Sequence, residues 1–310
     1  AKDANLQISP LLLYYGTTNL LYGMVNLLSG RKNIIANHGM KIFVPEHMSF
    51  IADTTIRFLS PSDGGVHVIA RAIGFSQDLT NFGDWSLSEF LDSIAEISSD
   101  FIQCYEVNAG RVAMLEGFNT PDGKMEKIYF SEENKDQILA LLQDVEGFDK
   151  SYLRLSVGKE RETSKGYFIL RHKLTGKDIS EESYSGQRYL RAGHNKNSQM
   201  VTVPTVLNMY VALFTLASLC RYYPERWSPF VMKDTTGEKV LIEKFLYFAR
   251  RLIPNYVLNR IMGDKVQYTS GRYSEIDTVK LVGEHQVQEM VERQIRNQFE
   301  KQKIMLNSSK

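Results

Sequence analysis

Apolar and polar positions alternate along this chain with two different periods, and the period changes twice. Both ends repeat at the helical spacing, and the middle repeats at the strand spacing. The stretch VTVPTVLNMYVALFTLASLCRYYPERW, Val201 to Trp227, dominates the pattern: from Val203 to Cys220 it runs eighteen residues without a formal charge. A helix apolar on every side belongs at the centre of a large domain. Pro204 suits its first turn, where the missing N–H has no intrahelical partner to lose. Pro224 ends it, and Arg221 lies in the last turn, where a cation meets the negative end of the helix dipole. A membrane span is the competing reading of eighteen uncharged residues. Thr205, Asn208 and Thr215 interrupt the run, however, and its flanks lack the aromatic and basic girdles that anchor a span.

The other strongly apolar helix is expected near the N-terminus. Ser9 is its N-cap, Pro10 its first residue and Gly30 its stop. Two such helices from opposite ends of the chain can cover each other's apolar surface, so they are expected to pack together. Gly16 and Gly23, seven residues apart, are expected to allow close approach on one face. His38, in Asn37-His38-Gly39, is read as tying down the turn that follows.

Between these helices the strand period takes over. Phe50, Ala52, Thr54, Ile56 and Phe58 share one face, and with the turn residues 62–65 and the run Val66 to Ile73 they predict an antiparallel hairpin. Trp85, Ser86, Glu89 and Phe90 form a helix-start signature, a capping box inside a hydrophobic staple, for a helix reaching about Phe101. Arg111 to Phe118 and Lys124 to Phe130 are expected to pair across Asn119-Thr-Pro-Asp-Gly123. A helix after Ser131 presents Ile138, Leu141, Leu142 and Val145, and strands follow at Tyr152 to Val157 and Tyr167 to His172. Residues 176–199 turn polar and are expected to form a long loop. Lys239 to Ile253 and Tyr256 to Met262 are expected as two helices divided by Pro254. Glu284 to Met305 has Val287, Met290, Val291, Ile295 and Phe299 on one face, as an amphipathic helix does.

These elements imply an α+β fold: a helical layer from both chain ends around the buried late helix, with a mainly antiparallel, β-rich middle. The expected parts are residues 1–39 packing on 200–310, a β-rich part at 40–175, and the polar loop at 176–199.

Composition alters this picture little. Of 310 residues, 43% are hydrophobic, enough for a substantial core. Lysine plus arginine number 37 and aspartate plus glutamate 36, so a net charge of +1 offers no global attraction to nucleic acid or to an anionic membrane. Cys104 and Cys220 stand far apart, which argues against a disulfide framework or a cysteine-based zinc site and fits a reducing cytoplasm.

Motifs for phosphate loops, metalloprotease helices, nucleophile elbows and paired thiols are missing from the sequence. No metal and no cofactor is expected. One cluster carries candidate chemistry: GQRYLRAGHNKN, residues 186–197, places Arg188, Arg191, His194 and Lys196 together just before the late helix. Arginines and a lysine so placed suit phosphate, and Arg188 with His194 resembles the Arg/His pair of HEPN-type ribonucleases. Arg221, Tyr222 and Trp227 could stack on a base, or simply close the helix and dock it.

Three stretches together resemble the YaaC-like proteins: PLLLYYGTTNLLYGMVNLL, the His38-Gly39 that follows it, and LFTLASLCRYYPERW. The resemblance implies a bacterial, cytoplasmic α+β protein and supplies no reaction. The resulting expectation is a non-catalytic or regulatory protein acting through protein–protein contacts, as a homo-oligomer or complex subunit, away from membranes. The alternative is a nucleic-acid-binding or HEPN-like ribonuclease effector in RNA processing or defence. There His194 would be the acid or base, Arg188, Arg191 and Lys196 would hold phosphates, and Arg221, Tyr222 and Trp227 would hold or stack on the nucleotide.

Overall fold

The structure is a computed structural model, and it describes residues 5–263 apart from 31, 34, 61–62, 108–109, 121–122, 132–133, 146–152, 160–165, 173–179 and 235. The stretch expected as a terminal amphipathic helix, 284–305, lies outside the described residues.

The chain opens with α1 (Ser9–Ser29), with Pro10 in its first turn and Gly30 in the left-handed conformation closing it. β1 (Met40–Phe43) pairs antiparallel with β2 (Thr55–Phe58). The expected return strand after β2 is instead a helix, α2 (Gly65–Ala72). Val66, Ile69 and Ala70 lie at helical spacing and are all buried, so this segment satisfies both periods, and its β-branched residues conceal the helical one. Backbone contacts decide between the two: Gly65 and Val66 donate their N–H groups to the carbonyls of Asn37 and His38, at 2.9 and 3.0 Å. That docking needs two glycines, because a Cβ on Gly64 would stand 2.3 Å from the Gly39 Cα, and Gly39 has φ +76°.

β3 (Asp84–Ser86) completes the first sheet beside β2 and leads into α3 (Leu87–Leu91). The capping box forms: Ser86 accepts from the Glu89 N–H, and Glu89 accepts from the Ser86 N–H at 2.8 Å. Trp85 and Phe90 pack at 5.2 Å between ring centroids. The expected single helix breaks, however, into α3, a 3₁₀ turn at Ala95–Ile97 and α4 (Ser98–Cys104). Breaking it buries Phe90, Leu91, Ile94, Ala95 and Ile97, more apolar residues than one stripe of a straight helix holds.

Then come β4 (Val112–Met114), β5 (Glu116–Thr120), β6 (Gly123–Phe130), α5 (Lys135–Gln143), β7 (Leu153–Lys159) and β8 (Gly166–His172). The order β5-β6-β8-β7 is antiparallel throughout. Residues 180–199, the described part of the expected loop, are not a long loop. They contain β9 (Glu181–Glu182), β10 (Arg188–Arg191), β11 (His194–Lys196) and the start of β12 (Gln199–Val201). β10 lies between β4 and β9, and β11 and β12 form a hairpin turned by Asn197 and Ser198, both at positive φ.

α6 (Thr205–Tyr222) is the late apolar helix, and every residue from Val206 to Leu219 is buried. By length and composition it could cross a membrane, and 78% of that window lies inside the protein. α7 (Pro224–Met232) follows, then α8 (Glu238–Met262), which runs unbroken through Pro254 in place of the two helices expected there. α1 packs on α6, α8 and α2, so both ends of the described chain enclose the late helix. Gly16 and Gly23 play no part in that packing: both are exposed, and a Cβ on either would have nothing within 4 Å. A second apolar cluster, including Leu115, Ile128, Leu142, Phe168 and Leu190, joins β4, β10 and the four-stranded sheet to α5.

Candidate functional site

Residues 188–203 form the seam between the two clusters, and strand alternation sorts their side chains. In β10, Leu190 enters the second cluster and Arg188 meets Glu126 of β6, whose side chain is fully buried. Arg188 also donates to the Ser180 hydroxyl. Tyr189 and Arg191 take the opposite face and line a cavity of about 370 Å³.

The cavity is walled by Glu181 and Glu182 of β9, by Glu96 from the 3₁₀ turn after α3, by Thr202, and by residues of α6 and α8 including Asn255 and Tyr256. Arg191 is engaged on three sides. Its Nε and Nη2 donate to Glu181 Oε1 at 3.0 and 2.7 Å, and its Nη1 donates to the Val203 carbonyl at 2.5 Å. The Tyr189 hydroxyl donates to Glu181 Oε2 at 3.0 Å. Burial beside that carboxylate pushes the Tyr189 hydroxyl well above its usual range. Glu96 accepts the Tyr184 N–H at Oε1, 2.8 Å, and burial raises its carboxyl above the ordinary range. Its other oxygen, Oε2, is buried without a hydrogen-bond partner, as are Thr202 Oγ1, Thr205 Oγ1 and Asn255 Oδ1. Buried polar atoms are almost always paired, so four unpaired oxygens on side chains lining one cavity make it the candidate ligand site among the described residues.

On the other side of the seam His194 is buried, 5% exposed. Its Nε2 lies 3.0 Å from Ser93 Oγ and 3.4 Å from Asp92 Oδ1, while Nδ1 stands 3.9 Å from Glu89 Oε1. Serine, histidine and carboxylate within reach are the ingredients of an activated nucleophile. Here Ser93 and the nearer carboxylate share one ring nitrogen, and Ser93 is only 2% exposed, so the cluster has the geometry of a clamp fixing the β11–β12 hairpin to α3. Lys196 extends the clamp, 2.6 Å from Glu89 Oε1 and 4.5 Å above the Trp85 ring.

The remaining candidates are scattered. Arg221 Nη1 donates to the Tyr15 hydroxyl at 2.5 Å and lies 5.1 Å from the Tyr222 ring, which is 63% exposed. Trp227 is fully buried and donates its indole N–H to the Gln7 carbonyl at 3.1 Å. The structure thus places only Arg191 of these residues in the cavity, and Arg188, Arg191 and Lys196 each face a carboxylate. His38 holds its turn through Nδ1, 2.7 Å from the Tyr14 hydroxyl.

Sequence reasoning missed Glu96, Glu181, Tyr189, Thr202 and Asn255. The alternation in RYLR was a usable signal for Tyr189, and the lone acid in SIAEIS was one for Glu96. Asn255, on a distant helix, gave none. Among the described residues no group of three or more His, Cys, Asp or Glu side chains could hold a metal.

The family model for YaaC-like protein matches residues 1–261. The chain belongs to the YaaC-like family. No curated protein and no solved structure matches it. The YaaC-like match spans both the clamp and the cavity, so the seam at 188–203 and the helices enclosing it are parts of the family's own domain.

Proposed function

We propose that this YaaC-like protein is a non-catalytic regulatory protein of the bacterial cytoplasm, acting through contacts with other proteins, with the cavity behind Arg191 as the place where a small molecule controls those contacts. The observation that carries the reading is the set of buried, unpaired oxygens on Glu96, Thr202, Thr205 and Asn255 around one cavity. Each is expensive to leave unsatisfied, about 1–3 kcal/mol, and a ligand removes that penalty. A volume of about 370 Å³ falls within the range of small-molecule sites.

Exposed apolar side chains at the start of and along α1, Ile8, Leu12, Tyr15 and Leu27, all more than two-fifths exposed, support the protein-contact half of the reading. The nucleic-acid alternative is less well supported, because phosphate would have to displace Glu126, Glu181 and Glu89 from Arg188, Arg191 and Lys196.

Light scattering, co-purification from cells and native mass spectrometry test the proposal together. A co-purifying protein or a defined oligomer, with a small molecule retained, is the expected result. A strict monomer with neither would sink it. RNA and DNA binding and cleavage at low salt, with His194→Ala and Arg188→Ala beside the parent, addresses the alternative: cleavage lost only in His194→Ala would replace the regulatory reading.

A further inference from the structure

We propose that the outward face of α1 is a dimer interface whose partner is a second copy of this chain, packed symmetrically across Asn19. The inference rests on the reading of this protein as one that acts through protein contacts, and it names the face and the partner. A surface helix normally turns charged side chains to water. α1 carries none on any side from Ser9 to Ser29. The side with Tyr14, Leu21 and Met24 is buried, and α1 packs on α6, α8 and α2. On the opposite side Leu12, then Tyr15 and Gly16, Asn19 and Leu20, Gly23 and Leu27 are exposed at steps of three or four residues, which makes them one continuous face.

Two glycines in that face have no duty inside the protomer. Neither Gly16 nor Gly23 is at positive φ, and a Cβ on either would meet nothing. Such a glycine weakens a helix relative to alanine, and what it offers in return is the close approach of another backbone. Asn19 lies between them, three residues after Gly16 and four before Gly23. In a symmetric pair the helices cross where a residue meets its own copy. At Asn19 two amides would face each other, each both donor and acceptor, with glycines on either side letting the axes approach to roughly 8 Å. The lack of charge also suits a second copy, because a charged face that meets itself repels itself. Arg221 stands at the rim, its guanidinium on the Tyr15 hydroxyl at 2.5 Å. A lipid surface is a poorer occupant, since interfacial helices hold headgroups through lysines and arginines and this face has neither.

Area supports the same partner. Ile8, in the turn before the helix, adds to the face, and Ile8, Leu12, Tyr15, Leu20 and Leu27 are 37–67% exposed. Together with Gly16, Asn19 and Gly23 they leave roughly 600 Å² to bury per protomer and about 1,200 Å² in the pair, the lower edge of stable specific interfaces. An interface of that size fits a reversible dimer with a dissociation constant on the order of micromolar.

Sedimentation velocity of the full-length chain from about 1 to 200 µM, a range that brackets such a constant, is the test. The parent should pass from monomer to dimer across it. Leu20→Glu, which sets two like charges against each other, should raise the dissociation constant at least tenfold with an unchanged circular dichroism spectrum. Gly16→Ala with Gly23→Ala should raise it at least tenfold too, while the dilute monomer melts no lower than the parent, since alanine is the better helix former. Under mild oxidation Asn19→Cys should give a disulfide-linked dimer, and the parent, with only Cys104 and Cys220, should not. A dimer that survives both Leu20→Glu and the alanine pair, or no cross-link through Asn19→Cys, would overturn the assignment of this face and leave the protein-contact reading standing. A monomeric parent that co-purifies with a different protein, lost in Leu20→Glu, would overturn the second copy as partner and leave that reading standing as well. A monomeric parent with no protein partner would end both.

Discussion

Glu238 offers the sharpest test of how the described domain is held together. It is the first residue of α8, and although it is a carboxylate it is only 1% exposed. Its Oε2 accepts the Ile51 N–H at 2.7 Å, and its Oε1 accepts both the Ala52 N–H at 2.8 Å and the Tyr105 hydroxyl at 2.7 Å. One side chain thereby ties the 3₁₀ turn before β2 and the residue after α4 to the helix that supplies Asn255 to the cavity. Glu238→Ala strands two buried amide donors, while the Tyr105 hydroxyl can rotate to another acceptor. Each stranded donor costs about 1–3 kcal/mol, and removing one partner of a buried charged network costs about 3–5 kcal/mol. Both routes converge on about 4 kcal/mol. At about 2–4 °C per kcal/mol for a chain somewhat shorter than this one, the melting temperature should fall by roughly 8–16 °C. Glu238→Gln keeps one acceptor but turns an amide N–H₂ toward a backbone donor, so an intermediate loss of about 2 kcal/mol is expected. Thermal and urea unfolding followed by circular dichroism provide the measurement. If Glu238→Ala unfolds within about 1 kcal/mol of the parent, the three hydrogen bonds are not what closes this junction and the reasoning is refuted.

Burial raises the Glu96 carboxyl in the folded protein, so the folded state holds that proton more tightly than the unfolded chain does. Its contribution is therefore fully present below the ordinary carboxylate pKa and is lost as pH rises through the raised value; melting curves across that window should flatten in Glu96→Gln relative to the parent. Trp227→Ala removes a fully buried indole and its hydrogen bond to Gln7, and should cost about 3–5 kcal/mol in urea unfolding. Tyr222→Ala, at a 63% exposed neighbour, should stay within about 0.5 kcal/mol in the same experiment. His194→Ala should destabilise by about 1–3 kcal/mol, because Ser93 and Asp92 lose their buried partner, and hydrogen exchange should quicken first in the β11–β12 hairpin.

Local and periodic signals in the sequence determined the helical frame. An eighteen-residue uncharged run can satisfy its surface only by burial, and α6 is buried along nearly its whole length. The capping box at Ser86 and Glu89 and the pairing of β5 with β6 are short-range chemistry, and they form as the residue types require. Where two periods fitted the same residues, as in Val66 to Ile73, only the carbonyls of Asn37 and His38 at the start of α2 settled the matter. Pro254 did not divide α8, because the helix is held on both sides of it by the buried Leu246, Ala249, Ile253 and Val257. The polar composition of 176–199 concealed four short strands, because their cations are matched by carboxylates from distant segments: Arg188 by Glu126, and Lys196 by Glu89. No sequence pattern records such pairings. The cavity is the extreme case. Glu96, Arg191 and Asn255 come from a 3₁₀ turn, a strand and a helix far apart in the chain, so only the packing of α6 and α8 against β9 and β10 brings them together.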